Sequence, residues 1–559
     1  MNAREGREHC HPVTRTADSE VRKGRSARAA FWVGAGIFLS KISGLVREQV
    51  LAYYFGASAV ADVWRVALRT PNVIQNLLGE GALSASLIPV YAEFLEEGGE
   101  EEAGRFAGAT LGILTVVSFS LALLGVLLTP YIVPVIYWKF DPWMQDLTVT
   151  IVQILFPMTG FLVISAWALG ILNSHRRFFV SYVAPVAWNL ALVATMVGAG
   201  TYLGWHRMGR DADMAVAMAW GALAGGVLQL LVQTPWLFPL LSNFRLSLGR
   251  RVAGVREAIR NLLPVVAGRG VVNLSGWLDM FLAHMLVVGA PAMLGFAQIL
   301  YMLPISLFGM AIAASELPEL SRRRGEIEAV LVPRVRGALE RLAFLLIPSA
   351  LAYLLLGEVF VAALFQRGEF GPEETTVTYA ILSAYAIGLP ASASSRALSS
   401  AFYAVRDTRT PAVVAAVRVG LSLAVGLSLM FPLDRLAVGD LRLGAAGLAC
   451  GSAVGAWVEY ALLRRRLSRH LGSHGPKVNR IARFFVAAFI AAAVGFAAKR
   501  LLGFSSEPGF LPSLLGETSP WLDPIAALGT GGAFGVTYLW TASLLGVGMP
   551  LRRKPHPGS

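Results

Sequence analysis

Charged side chains interrupt a strongly apolar stretch between Ser40 and Phe94. If this stretch forms membrane-spanning helices, the charges lie inside the membrane. The stretch reads SKISGLVREQVLAYYFGASAVADVWRVALRTPNVIQNLLGEGALSASLIPVYAEF. Up to residue 92 of this stretch, the charged residues are Lys41, Arg47, Glu48, Asp62, Arg65, Arg69 and Glu80. Each Arg, Lys or Asp at the centre of a spanning helix costs roughly 2.5 to 3.5 kcal/mol, so such a cluster persists only if it faces water, a partner charge or a substrate. We therefore expect the function of the chain to lie in this block.

The rest of the chain is typical of a membrane protein. Of its 559 residues 55% are hydrophobic and only 15% are charged, and the mean hydropathy is +0.59. Apolar runs of about 20 residues recur along the whole length, and each is long enough to cross a hydrocarbon core about 30 Å thick. The runs are continuously apolar, whereas a β-barrel would alternate in polarity. The sequence predicts an all-α polytopic membrane protein.

Hydropathy and turn signals predict about fourteen spanning helices. Their expected starts lie near Ala29, Ala61, Gly104, Leu147, Val180, Met214, Asn261, Met293, Leu342, Thr376, Thr410, Gly444, Phe484 and Leu522. Pro and Gly interrupt many of these segments, as suits a transporter whose helices bend around a cavity, although both residues are common in ordinary membrane helices.

The distribution of Lys and Arg predicts the orientation. Both tails and the even-numbered connections hold about 33 of the 48 basic residues, and the odd-numbered connections about 8. Both termini are therefore expected on the cytoplasmic side. The formal charge of +13 is explained by this topology and an anionic inner leaflet, so we expect no nucleic-acid partner.

No reaction centre is visible in the sequence. The two cysteines, Cys10 and Cys450, stand in a polar tail and an apolar run and predict neither a disulfide nor a metal site. There is no Walker loop, zinc spacing or Ser/His/Asp set, so we expect a protein without enzymatic activity, metal or cofactor.

Seven basic residues remain inside the predicted helices. They are Lys41, Arg47, Arg65, Arg69, Arg269, Arg396 and Arg418. Arg65 and Arg69 share one helix face with Asp62, which can neutralise one arginine but not both. A cavity lined by such groups would attract an anion, and the planar guanidinium fork suits a diphosphate. The alternative is that these charges pair among themselves and only fix helix packing, with Arg418 snorkelling towards the cytoplasm.

Besides Asp62, three further acidic residues are expected to support the basic cluster. Glu48 lies seven residues after Lys41, which places both on one face of the first helix. Asp279 is expected either in an interhelical contact or in a proton or sodium site. Glu80 stands between glycines in LGEGALS, where it would brace a helix break or form part of a gate.

With these residues identified, the chain resembles the MurJ (MviN) family of lipid II flippases, within the multidrug/oligosaccharidyl-lipid/polysaccharide exporter superfamily. The long block from Ser40 carries the resemblance, with support from GILNSHRRF, VAPVAWN, FQRGEF and FYAVRDTRTP. The family implies two six-helix lobes around a central cavity plus two C-terminal helices. The implied regions are a cytoplasmic tail at 1–28, an N-lobe at 29–242, a C-lobe at 243–470, lipid-groove helices at 471–550 and a second tail at 551–559.

The resemblance implies that the chain flips lipid II from the inner to the outer leaflet of the bacterial cytoplasmic (inner) membrane by alternating access. Lys41, Arg47, Glu48, Asp62, Arg69 and Glu80 match charged positions of the family. Gln75 stands where the family often has an arginine, and Gln298 with Ile299 where it often has an Asp-Arg pair. We hypothesise that Arg65 and Arg269 replace the missing arginines as diphosphate ligands.

Two other functions stay open at this stage. The same cavity would serve an exporter of another undecaprenyl-diphosphate-linked glycan. A membrane scaffold that transports nothing and recruits cell-wall synthesis enzymes through its cytoplasmic loops is the alternative from a different class. The expected partners are lipid II or a related undecaprenyl-diphosphate lipid, membrane lipids and, for the scaffold, those enzymes.

Overall fold

The protein is a bundle of long helices. The computed structural model describes residues 14–79, 81, 83, 86–241, 244–249, 252–309, 327–405, 407–472, 475–504, 507–516 and 519–547. The helices of the first half are α1 (Thr14–Phe55), α2 (Ala59–Leu78), α3 (Ile88–Glu96), α4 (Glu100–Ile136), α5 (Pro142–Ser174), α6 (Phe178–Val197, extended by a π turn at Gly198–Tyr202) and α7 (Asp211–Leu237). Helix α1 begins inside the predicted polar tail, so part of that tail continues the first spanning helix.

The second half is also helical. Its helices are α8 (Val255–Ala283), α9 (Ala290–Pro304, followed by a π turn at Ile305–Gly309), α10 (Ile327–Phe365), α11 (Pro372–Ala404), α12 (Arg409–Leu433), α13 (Gly444–Leu471), α14 (Val478–Leu502), α15 (Phe510–Leu515) and α16 (Leu522–Leu544). Between α12 and α13 the strands β1 (Ala437–Val438) and β2 (Leu441–Arg442) form a small antiparallel hairpin.

Local sequence signals set the turn between α1 and α2. Gly56 takes a left-handed conformation with φ +49°, which ends α1 at little steric cost. Ser58 then caps α2, because its Oγ accepts a hydrogen bond from the Ala61 amide at 3.3 Å. This turn fixes the rotation of α2 relative to α1 and so decides which way the charged face of α2 points.

The helices pack in two groups and a C-terminal pair. In the first group, α1 packs on α6, and α5 packs on α2, α4 and α7. In the second group, α11 packs on α10 and α13, and α12 packs on α13. Helices α14 and α16 pack on each other and on α10. The two groups meet where α2 lies against α8 and α9. This arrangement places the charged block of the sequence at the junction between the groups.

Many helices are long and apolar enough to cross a membrane. Within the described residues ten qualify by length and composition: Glu100–Ile136, Pro142–Ser174, Phe178–Tyr202, Asp211–Leu240, Ala290–Leu307, Val332–Phe365, Pro372–Tyr403, Arg409–Leu433, Gly444–Arg469 and Val478–Leu502. All the expected starts of spanning segments fall inside helices. The all-α prediction is confirmed, and the count of about fourteen spans stays a prediction.

Candidate anion-binding site

Helix α2 presents a charged face to the second helix group. Asp62, Arg65 and Arg69 are separated by three and four residues and therefore share one side of the helix. Each of the three interacts with residues of α8, α9 or α11. These three charged side chains of α2 therefore lie at the junction between the two helix groups.

Glu48 is held between two arginines. Its Oε1 lies 2.5 Å from Arg47 Nη2, and its Oε2 lies 2.7 Å from Arg65 Nη2. Glu48 is 3% exposed, so the carboxylate is removed from solvent and depends on these two cations. One negative charge between two positive ones leaves this triad with a net positive charge. We call Arg47, Glu48 and Arg65 the arginine triad.

Arg47 is aimed by residues of α6. Its Nη1 donates a hydrogen bond to Asn189 Oδ1 at 2.9 Å, and Asn189 Nδ2 in turn donates to Ser43 Oγ at 2.9 Å. The guanidinium also lies over the Trp188 ring, 4.9 Å from its centre, in a cation–π contact. Arg47 is therefore fixed in orientation while part of its side chain stays accessible.

Arg65 reaches from the first helix group to the second. Its guanidinium carbon lies 4.5 Å from the centre of the Phe296 ring on α9. Gly295 makes room for the side chain, since a methyl group there would lie 2.7 Å from Arg65 Nε. Within the described residues Arg65 Nε is buried and lacks a hydrogen-bond partner. A buried donor without a partner is costly, so the ion pair with Glu48 and the contact with Phe296 must hold Arg65 in this position.

Asp62 makes a different contact from the one expected from its spacing. Its Oδ2 accepts a hydrogen bond from the Gly289 amide at 2.6 Å and its Oδ1 accepts one from the Ala292 amide at 2.8 Å. It thereby caps the N-terminus of α9 from another helix, where free amides and the helix dipole favour a carboxylate. Glu48, and not Asp62, supplies the carboxylate that pairs with Arg65.

Arg69 lies deeper along α2, near a polar group of the second helix group. It interacts electrostatically with Asp279 on α8 and with Tyr385 on α11. Tyr385 accepts a hydrogen bond from Gln298 Nε2 at 3.0 Å and stacks on Tyr301, with ring centres 5.0 Å apart. Gln298 therefore takes part in this polar group, although the family resemblance suggested a charged residue there.

The remaining predicted site residues are placed elsewhere or fall outside the described part. Lys41 and Arg396 are exposed, and the described contacts do not join either of them to the arginine triad. Arg418, the residue expected to snorkel, pairs with Glu459 on α13 at 2.8 Å. The side chain of Arg269 and the whole of Glu80 lie outside the described residues. Their roles stay predictions.

Comparison with known proteins places the chain in a family. A sequence model described as "Lipid II flippase MurJ" matches residues 51–514. The chain belongs to the MurJ family. A protein from Rhizobium meliloti (strain 1021) named probable lipid II flippase MurJ is 33% identical over 482 residues, which cover 84% of this chain and 86% of the relative.

Solved structures share the fold with this MurJ family member. A structure of lipid II flippase MurJ in an inward closed conformation matches with a TM-score of 0.72 at 18% identity, covering 92% of this chain and 98% of the other. An inward-facing multidrug resistance MATE transporter of the MOP superfamily matches with a TM-score of 0.60 at 18% identity, covering 77% and 95% of the two chains. These matches confirm the predicted helical fold, and the sequence comparisons confirm the predicted family. Membership of the MurJ family also confirms the expectation of a multi-pass transporter that is not an enzyme.

Several residues of the site were not found from the sequence. Asn189 and Trp188 belong to the VAPVAWN segment, which supported the resemblance without suggesting a role. A polar Asn inside an apolar helix is the signal that would have marked it as a partner of a buried charge. Gly295 and Phe296 carry no such signal, because their role depends on the helix opposite.

Proposed function

We propose that this MurJ family member flips lipid II from the inner to the outer leaflet of the bacterial cytoplasmic membrane, and that the arginine triad captures the diphosphate of the head group. The observation that carries the proposal is the net positive triad at the junction between the two helix groups, with Glu48 shared by Arg47 and Arg65. Both termini are placed on the cytoplasmic side, following the distribution of Lys and Arg.

The chemistry of the triad suits a diphosphate. Two guanidinium groups provide planar forks that bind phosphate oxygens in a bidentate manner. Low-dielectric walls strengthen the attraction for an anion in a membrane cavity. Glu48 keeps the two arginines from repelling each other when the site is empty.

Alternating access gives the triad its place in the transport cycle. In the proposed orientation, α1 ends and α2 begins at the outer face, so the contacts of Asp62 with α9 close the outer side of the cavity. The head group would enter from the cytoplasm while the polyprenyl tail stays in lipid. Reorientation of the two helix groups then requires that the Asp62 cap be broken.

An exporter of another undecaprenyl-diphosphate-linked glycan is the second candidate. The triad recognises the diphosphate that all such lipids share, and it contains no group that selects the sugar. Native mass spectrometry of the purified protein against lipid II and a second undecaprenyl-diphosphate glycan separates the two. Preference for lipid II supports the leading proposal, and equal or reversed preference supports the second.

Complementation of a conditional lipid II flippase strain tests the function directly. We expect the unmodified chain to restore growth, Arg47→Ala with Arg65→Ala to abolish rescue, and the exposed Arg105→Ala to leave it intact. Arg105 is a fair control because it pairs with Glu101 on the protein surface. Rescue by the double variant would favour a scaffold that recruits cell-wall synthesis enzymes. Failure of the unmodified chain would contradict the lipid II proposal.

A further inference from the structure

The FQRGEF segment carries part of the family resemblance but has no role in the site described above. It covers residues 365–370, from the last residue of α10 to the turn before α11. This turn lies on the same side of the molecule as the end of α1, because its backbone bonds to that helix end. It is therefore part of the face that the proposed orientation places outside the cell.

The turn makes a close backbone contact with α1 across the two helix groups. The Glu369 amide donates a hydrogen bond to Tyr53 O at 3.0 Å. Gly368 has φ +62°, and a methyl group there would lie 2.2 Å from Tyr53 O. Gly56 has φ +49°, and a methyl group there would lie 2.4 Å from Glu369 O. Both glycines are needed for their conformation and for the close approach.

A side chain from the connection between α6 and α7 reinforces this contact. His206 Nε2 lies 3.4 Å from Glu369 Oε1, and His206 Nδ1 lies 3.1 Å from Asp211 Oδ1 at the start of α7. The His206 ring also packs edge-on against Tyr54. The end of α1 and the connection between α6 and α7 thus both hold the turn that follows α10.

Aromatic rings connect the turn to the arginine triad. Phe365 and Phe370 at its two ends contact Phe296, with ring centres 5.0 and 5.3 Å apart. Arg65 contacts the same Phe296 ring, and its guanidinium carbon lies 4.5 Å from the ring centre. A shift of Arg65 towards a bound anion would therefore change the packing that holds both ends of the turn.

We propose that the turn 366–371 is the moving outer gate of the transporter and that Phe296 couples its position to Arg65. The gate is shut when Glu369 is bonded to Tyr53 and opens when the two helix groups separate on the outer side. Its part in transport rests on the proposed function, whereas its opening and closing do not.

A reversible cross-link across the contact tests the gate. His206 Nε2 lies 3.4 Å from Glu369 Oε1, so thiols at these two positions lie within reach of a short bifunctional methanethiosulfonate, whose links are cleaved on reduction. The variant His206→Cys with Glu369→Cys, in a chain with Cys10→Ser and Cys450→Ser, should therefore be bridged by this reagent across the two helix groups in lipid nanodiscs or vesicles. Gly56 and Gly368 stay unchanged in this variant.

The control is a cross-link of similar geometry within one helix group. Arg442 Nη1 lies 3.8 Å from Asp434 Oδ2, and both residues belong to the α12–α13 connection on the same face. The variant Asp434→Cys with Arg442→Cys should also be bridged by the reagent. It links no part of the first helix group and should leave the gate free.

Two measurements are made on the cross-linked and reduced forms. Hydrogen exchange of the peptide containing residue 369 reports gate opening without any substrate, and we expect cross-linking of the gate pair to slow it about tenfold. Flipping of lipid II in vesicles should be lost in the cross-linked gate pair and return on reduction. The control pair should show neither change.

The outcomes test the gate proposal and the assignment of lipid II as substrate separately. If bridging slows hydrogen exchange but the unmodified protein flips no lipid II, the gate proposal stands and lipid II is overturned as the substrate. Unchanged exchange after bridging, or full lipid II flipping by the bridged gate pair, would overturn the gate. A gate pair that does not bridge, while the control pair does, would also overturn it, because the shut contact would then be absent.

Discussion

Glu48 and Arg65 come from different helices, yet Glu48 Oε2 lies 2.7 Å from Arg65 Nη2 inside the protein. The other oxygen of the same carboxylate holds Arg47 at 2.5 Å. This relationship explains how two arginines can stand side by side at membrane depth. It also leaves a positive charge that a diphosphate can neutralise.

Loss of the Glu48 charge should destabilise the protein. We expect Glu48→Gln to lower the free energy of unfolding by about 3 to 5 kcal/mol, because breaking one partner of a buried ion pair leaves uncompensated charge. Thermal unfolding in detergent measures this. Glu101→Gln, which changes an exposed pair with Arg105, should cost about 1 kcal/mol or less. Equal stability of the two variants would mean that Glu48 does not balance the arginines.

Asn189 should influence affinity by aiming Arg47. Removal of its hydrogen bond in Asn189→Ala loses an interaction with a charged group worth about 1.5 to 3 kcal/mol. Since about 1.4 kcal/mol is a tenfold change, we expect undecaprenyl diphosphate to bind about tenfold more weakly or worse. Native mass spectrometry with that lipid measures the change. The exposed Asn261→Ala is the control, and an affinity of Asn189→Ala equal to that of the control would contradict a positioning role.

The Asp62 cap should hold the outer side shut. In Asp62→Asn one oxygen is replaced by an amide donor that cannot accept from α9, and the charge that favours the helix start is lost. We expect faster hydrogen exchange at residues 289–293, by about tenfold for a loss of about 1 to 2 kcal/mol.

Asp141 provides the control for this cap. It stands at the N-cap position of α5 but makes no side-chain capping bond there, so Asp141→Asn should leave exchange at the start of α5 unchanged. Exchange at residues 289–293 that is the same in Asp62→Asn as in the unmodified protein would show that the cap does not close this side.

Phe296 should connect the arginine triad to the outer gate. Phe296→Leu keeps an apolar side chain but removes the ring that Arg65, Phe365 and Phe370 share. Loss of these contacts, each worth about 0.5 to 1.5 kcal/mol, should speed hydrogen exchange of residues 366–369. Phe402→Leu, another fully buried ring of the second helix group, is the control. An equal effect of both substitutions would indicate general destabilisation.

The sequence was a good guide to the helices and to the first two helices of the site. Apolar runs of membrane length predict helices independently of their partners, so all the expected starts fall inside helices. Arg47, Glu48 and Arg65 stood out because charge at membrane depth is costly. These are properties of single segments.

Pairings between segments were harder to predict. Spacing along α2 placed Asp62 near Arg65, but the free amides at the start of α9 hold Asp62 in the structure. The outer gate depends on how the turn after α10 meets α1, and no periodicity within either segment shows that contact. Such contacts follow from the packing of distant helices, and the patterns within single segments do not reveal it.

The affinity of the arginine triad for undecaprenyl diphosphate is the most direct test of the proposed site. We expect Arg65→Ala and Arg47→Ala each to weaken binding about tenfold or more in native mass spectrometry, since each loses a charge-assisted bond worth about 1.5 to 3 kcal/mol. Arg105→Ala should bind as the unmodified protein does. Unchanged binding in folded Arg65→Ala and Arg47→Ala variants would contradict the assignment of the triad as the diphosphate site.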